Sequence, residues 1–200
     1  MNKQRVWLSL VAANVIIYLL QLGTSGGFDQ LFMLSGSTVA ARPWTLITSM
    51  FLHGSILHLL LNMWALFVFG SLLEPKIGAK KFLAVYFVAG LLANAAFLAF
   101  YPANIFGLGA SGAIFGIIGA LTVLEPNIQL LVFFIPMPLW IAAILWALYD
   151  LVLLQAPGSA IANAAHLGGL AAGLAAGYYL KSRDKTVEED VWAYSRSRGY

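Results

Sequence analysis

The sequence predicts an all-α, polytopic membrane protein: six transmembrane helices in one bundle around a short central fourth helix. Three observations lead there. Hydrophobic residues make up 61% of the 200-residue chain and charged residues 10%, where a soluble domain carries roughly a quarter charged. Mean hydropathy is +0.85, so lipid is the solvent for most of the surface. The apolar residues also gather in six stretches, at 6–22, 45–73, 82–100, 110–124, 128–148 and 162–180, suited to a hydrocarbon core ~30 Å thick. Residues 1–181 are expected to form the transmembrane domain, with no second domain, and 182–200 a polar cytoplasmic tail.

The first stretch follows Lys3 and Arg5, as a signal peptide would. It ends in Gly23-Thr24-Ser25-Gly26-Gly27 with no A-x-A site, and is expected to be a retained helix. The loop at 24–43 holds Phe28, Leu31, Phe32, Met33 and Leu34, which are expected to dip into the outer interface, with Trp44 as an interfacial aromatic. Basic residues orient the bundle. With a cytoplasmic N-terminus, Lys3, Arg5, Lys76, Lys80, Lys81, Lys181, Arg183, Lys185, Arg196 and Arg198 are inside and Arg42 alone is outside. That bias predicts six spans with both termini cytoplasmic.

Composition also excludes. The chain has no cysteine, so disulfides and thiolate metal sites are ruled out. The net charge of +3 is not gathered into a basic run interleaved with aromatics, and nucleic acid is not an expected partner. No cofactor and no metal are expected.

Polar residues at membrane depth each need a reason. Four stand out: His58, Asn62, Ser111 and His166. Helices 2, 4 and 6 run from outside to inside, their inner ends marked by Glu74-Pro75, Glu125-Pro126 and Lys181. Counting back at ~1.5 Å per residue puts Asn62 about 18 Å, Ser111 about 21 Å, His166 about 22 Å and His58 about 24 Å above the inner boundary. All four share one layer, roughly 6–12 Å below the outer surface of a ~30 Å core. The fourth helix is too short to span, and the breaker-rich segment 101–109 fills the gap. Irregular backbone at that depth must be buried in protein or line a water-filled cavity. Ser111 is therefore expected at a helix N-terminus, on the floor of a cavity open to the outer side.

Close helix approach is written into the glycines. Gly169, Gly173 and Gly177 recur every four residues on helix 6, the small-xxx-small pattern, and His166 lies on their face. Helix 4 offers Gly112, Gly116 and Ala120 at the same interval. Packing these faces brings His166 against Ser111.

A serine hydroxyl needs a base to become a nucleophile, and histidine is the base. Asp150 is the nearest acidic candidate for a third member, but counting places it at the outer end of helix 5, away from the layer. A dyad oriented by packing is expected. The Ser111 N–H, at a helix start, is one oxyanion donor; Asn62 and His58, four residues apart on one helical face, are the others. His53, farther outward, is expected to be structural.

The same residues carry a family resemblance. Gly109-Ala110-Ser111-Gly112 resembles the G-x-S-G of the rhomboid intramembrane serine proteases. Ala165-His166-Leu167-Gly168-Gly169 with Gly173 is similar to their A-H-x-x-G-x-x-x-G, and His58-Leu59-Leu60-Leu61-Asn62 to their H-x-x-x-N. It covers about 42–180 in the same order and implies the minimal six-helix form. It also implies Ser111 as nucleophile, His166 as base, and His58 and Asn62 at the oxyanion. The first loop and helix 5 would border the substrate entry. There are departures. Phe115 stands where family members often have Tyr, and can stack but not donate. Arg42-Pro43-Trp44 replaces the family's W-R pair, so that role is not carried over. Glu74-Pro75-Lys76 is read as structural.

The expected activity is hydrolysis of peptide bonds in or near transmembrane segments of membrane-protein substrates, in a cell membrane. The alternatives are a non-catalytic relative that binds membrane-protein clients, a small transporter, and a metal-dependent intramembrane protease. A transporter would favour mid-membrane charges and inverted repeats, which the sequence lacks. A metalloprotease would need H-E-x-x-H, which is also lacking. Oligomeric state is not legible.

Overall fold

A computed structural model describes residues 5–24, 27–154 and 162–197, with side chains through 183. Lys3, Ser25, Gly26 and most of the expected tail's side chains lie outside the described residues. Within them the chain forms eight α-helices and two short antiparallel strand pairs. Three helices are long and apolar enough to cross a membrane: α1 (Val6–Gly23), α4 (Ile56–Ile77) and α5 (Ala79–Phe100). Their outward side chains are large and apolar, among them Leu19, Leu57, Trp64 and Leu92. Such a surface suits lipid, not water. The protein is membrane-embedded.

Two elements depart from the sequence reading at breaker residues. The stretch 45–73 is not one helix. It forms α3 (Thr45–Thr48), a 3-10 turn at Ser49–Phe51, a loop, and then α4. The first part ends at Phe51, and Ser55 starts the second: its hydroxyl accepts the His58 N–H at 3.1 Å as N-cap. The stretch 128–148 is likewise divided. Strands β3 (Gln129–Val132) and β4 (Ile135–Pro138) form a hairpin, and only Leu139–Val152 is helical, as α7. Pro136 and Pro138, two residues apart, each lack the N–H a helix interior uses and disfavour a continuous helix here.

The first loop folds inward more than its composition suggests. It contains α2 (Gly27–Phe32) and β1 (Leu34–Ser35). β1 pairs with β2 (Phe106–Gly107), Leu34 opposite Gly107. Leu34 is fully buried, whereas Leu31 and Trp44 remain exposed. The loop therefore clamps the irregular segment above α6. At the other end of the bundle, the buried Glu74 carboxylate accepts the Val6 and Trp7 N–H groups at 3.0 and 2.9 Å. It caps the N-terminus of α1 from a different helix, with its charge at the positive end of the helix dipole. Lys76 pairs with Glu125 at 2.6 Å, joining α4 to the end of α6.

The centre is α6 (Ser111–Leu124), 14 residues long and so about 21 Å. It is buried nearly all round, from Gly112 to Leu121, as befits an apolar helix inside other helices. Its neighbour α8 runs from Asn163 to Ser197, well past the expected end at 180. Beyond Gly177 the chain has good helix formers and no Gly or Pro before Gly199. Along the α6–α8 seam a Cβ on Gly169 or Gly173 would overlap the carbonyl of Gly112 or Gly116 respectively, and one on Gly177 would stand 2.7 Å from the Ala120 carbonyl. These are backbone atoms that cannot step aside.

Gly173→Ala is expected to destabilise the bundle by about 1–3 kcal/mol, the usual cost of overpacking. Gly23→Ala, with nothing within 4 Å of its new Cβ, should be nearly neutral. Unfolding midpoints in mild detergent would compare them; equal midpoints would refute the seam.

Candidate active site

Ser111 is the first residue of α6, so its N–H is among the donors a helix start leaves unpaired. The chain reaches it through Gly109 at φ +126°, a conformation that side chains disfavour. Gly109 N–H donates to the Ser49 carbonyl at 2.9 Å. Ser49 is held in turn by Asn94 of α5, whose amide donates to Leu46 O and Ser49 Oγ at 2.8 and 3.1 Å. The turn that presents Ser111 is thus fixed from two sides.

His166 comes from the first turns of α8. Its Nε2 lies 2.9 Å from Ser111 Oγ, a hydrogen-bond distance. Phe115, one turn below Ser111, stacks on the imidazole at 4.4 Å between centroids with an 8° tilt. The structure therefore brings the two residues together across the glycine seam: Gly112 and Gly169, each beside its polar residue, are in backbone contact.

His58 also reaches this place. A Cβ on Gly109 would stand 2.9 and 3.0 Å from His58 Cε1 and Nε2, so glycine there serves both the backbone angle and the histidine ring. The Gly54 N–H points at His58 Nδ1 from 3.4 Å. An Nδ1 that accepts leaves the proton of the neutral ring on Nε2, the edge nearest Gly109. Asn62 is buried one turn deeper on α4. Its side-chain N–H bond is to the His58 carbonyl, at 2.8 Å, and among the described residues it has no hydrogen bond to Ser111. One amide hydrogen is left over.

The expected dyad has a third neighbour, and here the sequence reading is corrected. Asp150 is 2% exposed, with Oδ1 and Oδ2 at 3.1 and 3.3 Å from His166 Nδ1. Counting depth along a helix from 128 put it too far out. Because 129–138 is a hairpin, α7 begins beside the end of α6: Leu139 N–H donates to Ile128 O at 2.8 Å and Trp140 N–H to Pro126 O at 3.1 Å. Asp150 is then about 17 Å up, near the layer of Ser111. The signal was present in the sequence as a lone acid in an apolar run.

His53 is set apart. Its backbone is gripped by the Gln21 amide, which accepts its N–H at 3.0 Å and donates to its carbonyl at 3.2 Å. The ring is 2% exposed and, among the described residues, neither nitrogen is hydrogen-bonded; it packs edge-on to His58 at 5.1 Å. Burial, and then the neighbouring His58, push its pKa down to about 4.

Fold and site define the class: a membrane-embedded helical protein that sets a serine hydroxyl at a helix N-terminus against a histidine from another helix. The sequence profile of the Rhomboid domain matches residues 40–183, and the chain belongs to the rhomboid family. It is 33% identical over 190 residues to Rhomboid protein 1, mitochondrial, of Saccharomyces cerevisiae, covering 90% of this chain and 54% of that protein. It is 33% identical over 159 residues to Rhomboid-like protease 2 of Toxoplasma gondii, covering 78% and 53%. With RHOMBOID-like protein 4 of Arabidopsis thaliana it shares 31% over 164 residues, covering 82% and 40%. The chain spans about half the length of the curated relatives it matches.

His53 should stay neutral in the folded protein at pH 5.5, seen as an unprotonated ring in 15N-histidine NMR. The unfolded chain, with an ordinary pKa near 6.5, takes up the proton first. Stability should therefore fall as pH drops from about 6.5 towards 4, and His53→Gln should lessen that slope. A protonated ring in the native protein at pH 5.5 would contradict the assignment.

Proposed function

We propose that this protein is an intramembrane serine endopeptidase that hydrolyses peptide bonds in or near transmembrane segments of other membrane proteins. The observation that carries the reading is the 2.9 Å contact between Ser111 Oγ and His166 Nε2 at the start of a buried helix. The protease name of the Toxoplasma relative supports it.

In this reading Ser111 attacks the scissile carbonyl while His166 takes its proton and later passes it to the leaving amine. The Ser111 N–H, the Nε2–H of His58 and the spare amide hydrogen of Asn62 receive the oxyanion. A substrate helix approaches between α4 and α7 and unwinds near its outer end, because an intact helix hides its carbonyls. Small or helix-weakening residues at the cut favour this.

The charge pattern supports six spans, with residues 1–181 as the transmembrane domain and the residues after it as a cytoplasmic tail. α6 and α7, at 14 residues each, count as spans only together with the irregular segments beside them. Both termini then face the cytoplasm of a cell membrane, and a cavity leading to Ser111 would open outward.

The test is cleavage of a model single-span substrate by purified protein in liposomes, with fragment masses read out. The parent should cut within or just outside the outer part of the span, and Ser111→Ala should not. Asn62→Ala and His58→Ala should each lower kcat about 10²–10³-fold, the usual loss for one oxyanion donor. Unchanged turnover in both would remove them from the oxyanion site. No cut by the parent across several substrates, with no labelling of Ser111 by a serine-reactive probe, would favour a non-catalytic client-binding protein.

A further inference from the structure

Asp150 is the buried acid that the mechanism above leaves unused. It ends an uncharged run, 126–149, and is 2% exposed. A carboxylate inside an apolar segment is costly without a partner. Among the described residues its side chain has one: both oxygens face His166 Nδ1. The pairing belongs to a register between α7 and α8. Three residues further on, just past the end of α7, the Leu153 carbonyl accepts a hydrogen bond from the buried Asn163 amide at 2.6 Å. Asn163 is itself three residues before His166. The same two antiparallel segments therefore meet twice, and Asp150 is held where it is.

An imidazole between a hydroxyl and a carboxylate has both nitrogens assigned. A carboxylate only accepts, so Nδ1 carries the hydrogen, and Nε2 turns its lone pair to Ser111 Oγ. Phe115 cannot supply this. Stacking sets the plane of the ring, but neither its rotation within that plane nor which nitrogen is protonated.

We propose that Asp150 is a positioning residue for His166. Its carboxylate accepts the Nδ1 hydrogen, holds the tautomer that can take the Ser111 proton, and remains beside the imidazolium that forms. This rests on the serine-protease reading above. As the bond from Ser111 Oγ to the carbonyl carbon forms, the Oγ–H bond breaks and its proton moves to Nε2. The carbonyl π pair goes to the oxygen. When the carbon–nitrogen bond breaks, the Nε2 proton goes to the departing amine. Asp150 stays unprotonated throughout. A pin that only fastened α7 to α8 would be served as well by an amide, and that difference is measurable.

Asp150→Asn keeps the shape and removes the charge. The parent and this variant are to be compared in liposomes, by steady-state cleavage of the single-span substrate and by 15N-histidine solid-state NMR. In the parent, His166 should be protonated on Nδ1, and in the variant that signal should be lost. The variant's kcat should fall about 10²–10⁴-fold, the upper end being the loss seen when a soluble serine protease loses this charge. KM should stay within about threefold. An Nε2-protonated His166 in the parent would overturn the proposal, and this needs no variant to fold. An unchanged kcat in Asp150→Asn would also overturn it and leave the protease reading intact. A parent that cuts nothing, yet shows an Nδ1–H that the variant abolishes, would uphold the positioning and overturn the protease reading.

Discussion

The rest of the structure depends on how closely the backbones of α6 and α8 approach. Gly169 and Gly173 of α8 lie against the backbone carbonyls of Gly112 and Gly116 with no room for a methyl group, while a Cβ on Gly112 or Gly116 would instead meet Ala93 or Ala89 of α5. Helices in lipid gain little from hiding apolar surface from one another, so close packing between small residues takes its place. The seam also sets the chemistry. Ser111 and His166 project from the helices' N-terminal ends, one residue before Gly112 and three before Gly169. Their 2.9 Å separation follows from that closeness and would not survive a wider spacing.

Around this seam the structure places polar groups that a membrane interior would otherwise reject. Most are satisfied by partners on other elements. Glu74 caps α1, Asn94 holds the turn at Ser49, Gln21 grips the backbone of His53, and Asp150 meets His166. Each bond ties segments far apart in sequence, so each fixes position as well as lowering the cost of burial. The His53 ring is one of several exceptions, with neither nitrogen hydrogen-bonded among the described residues. Its burial keeps it neutral beside His58.

Several parts of this were readable in the chain itself. The glycine spacing on helices 4 and 6 is strictly local information, because four residues make about one turn. It put Ser111 and His166 on facing surfaces without coordinates. The H-x-x-x-N spacing likewise placed His58 and Asn62 on one helical face. Depth counting set Ser111 and His166 at one level, and their side chains do meet. It failed for Asp150, because an apolar run that reads as helix is also what a buried or lipid-facing hairpin reads as. Pro136 and Pro138 were the available warning.

The sequence by itself determined the lipid environment, the helical class and the family. All of these rest on composition or on repeats within a single helix. Tertiary structure alone decided the rest. It placed the hairpin and so brought Asp150 to the second nitrogen of His166. It also buried Leu34 under a strand pair instead of leaving it to lipid. These outcomes turn on which segments meet across the bundle. Helical periodicity describes one segment at a time, and a contact between two of them depends on where each chain reversal falls.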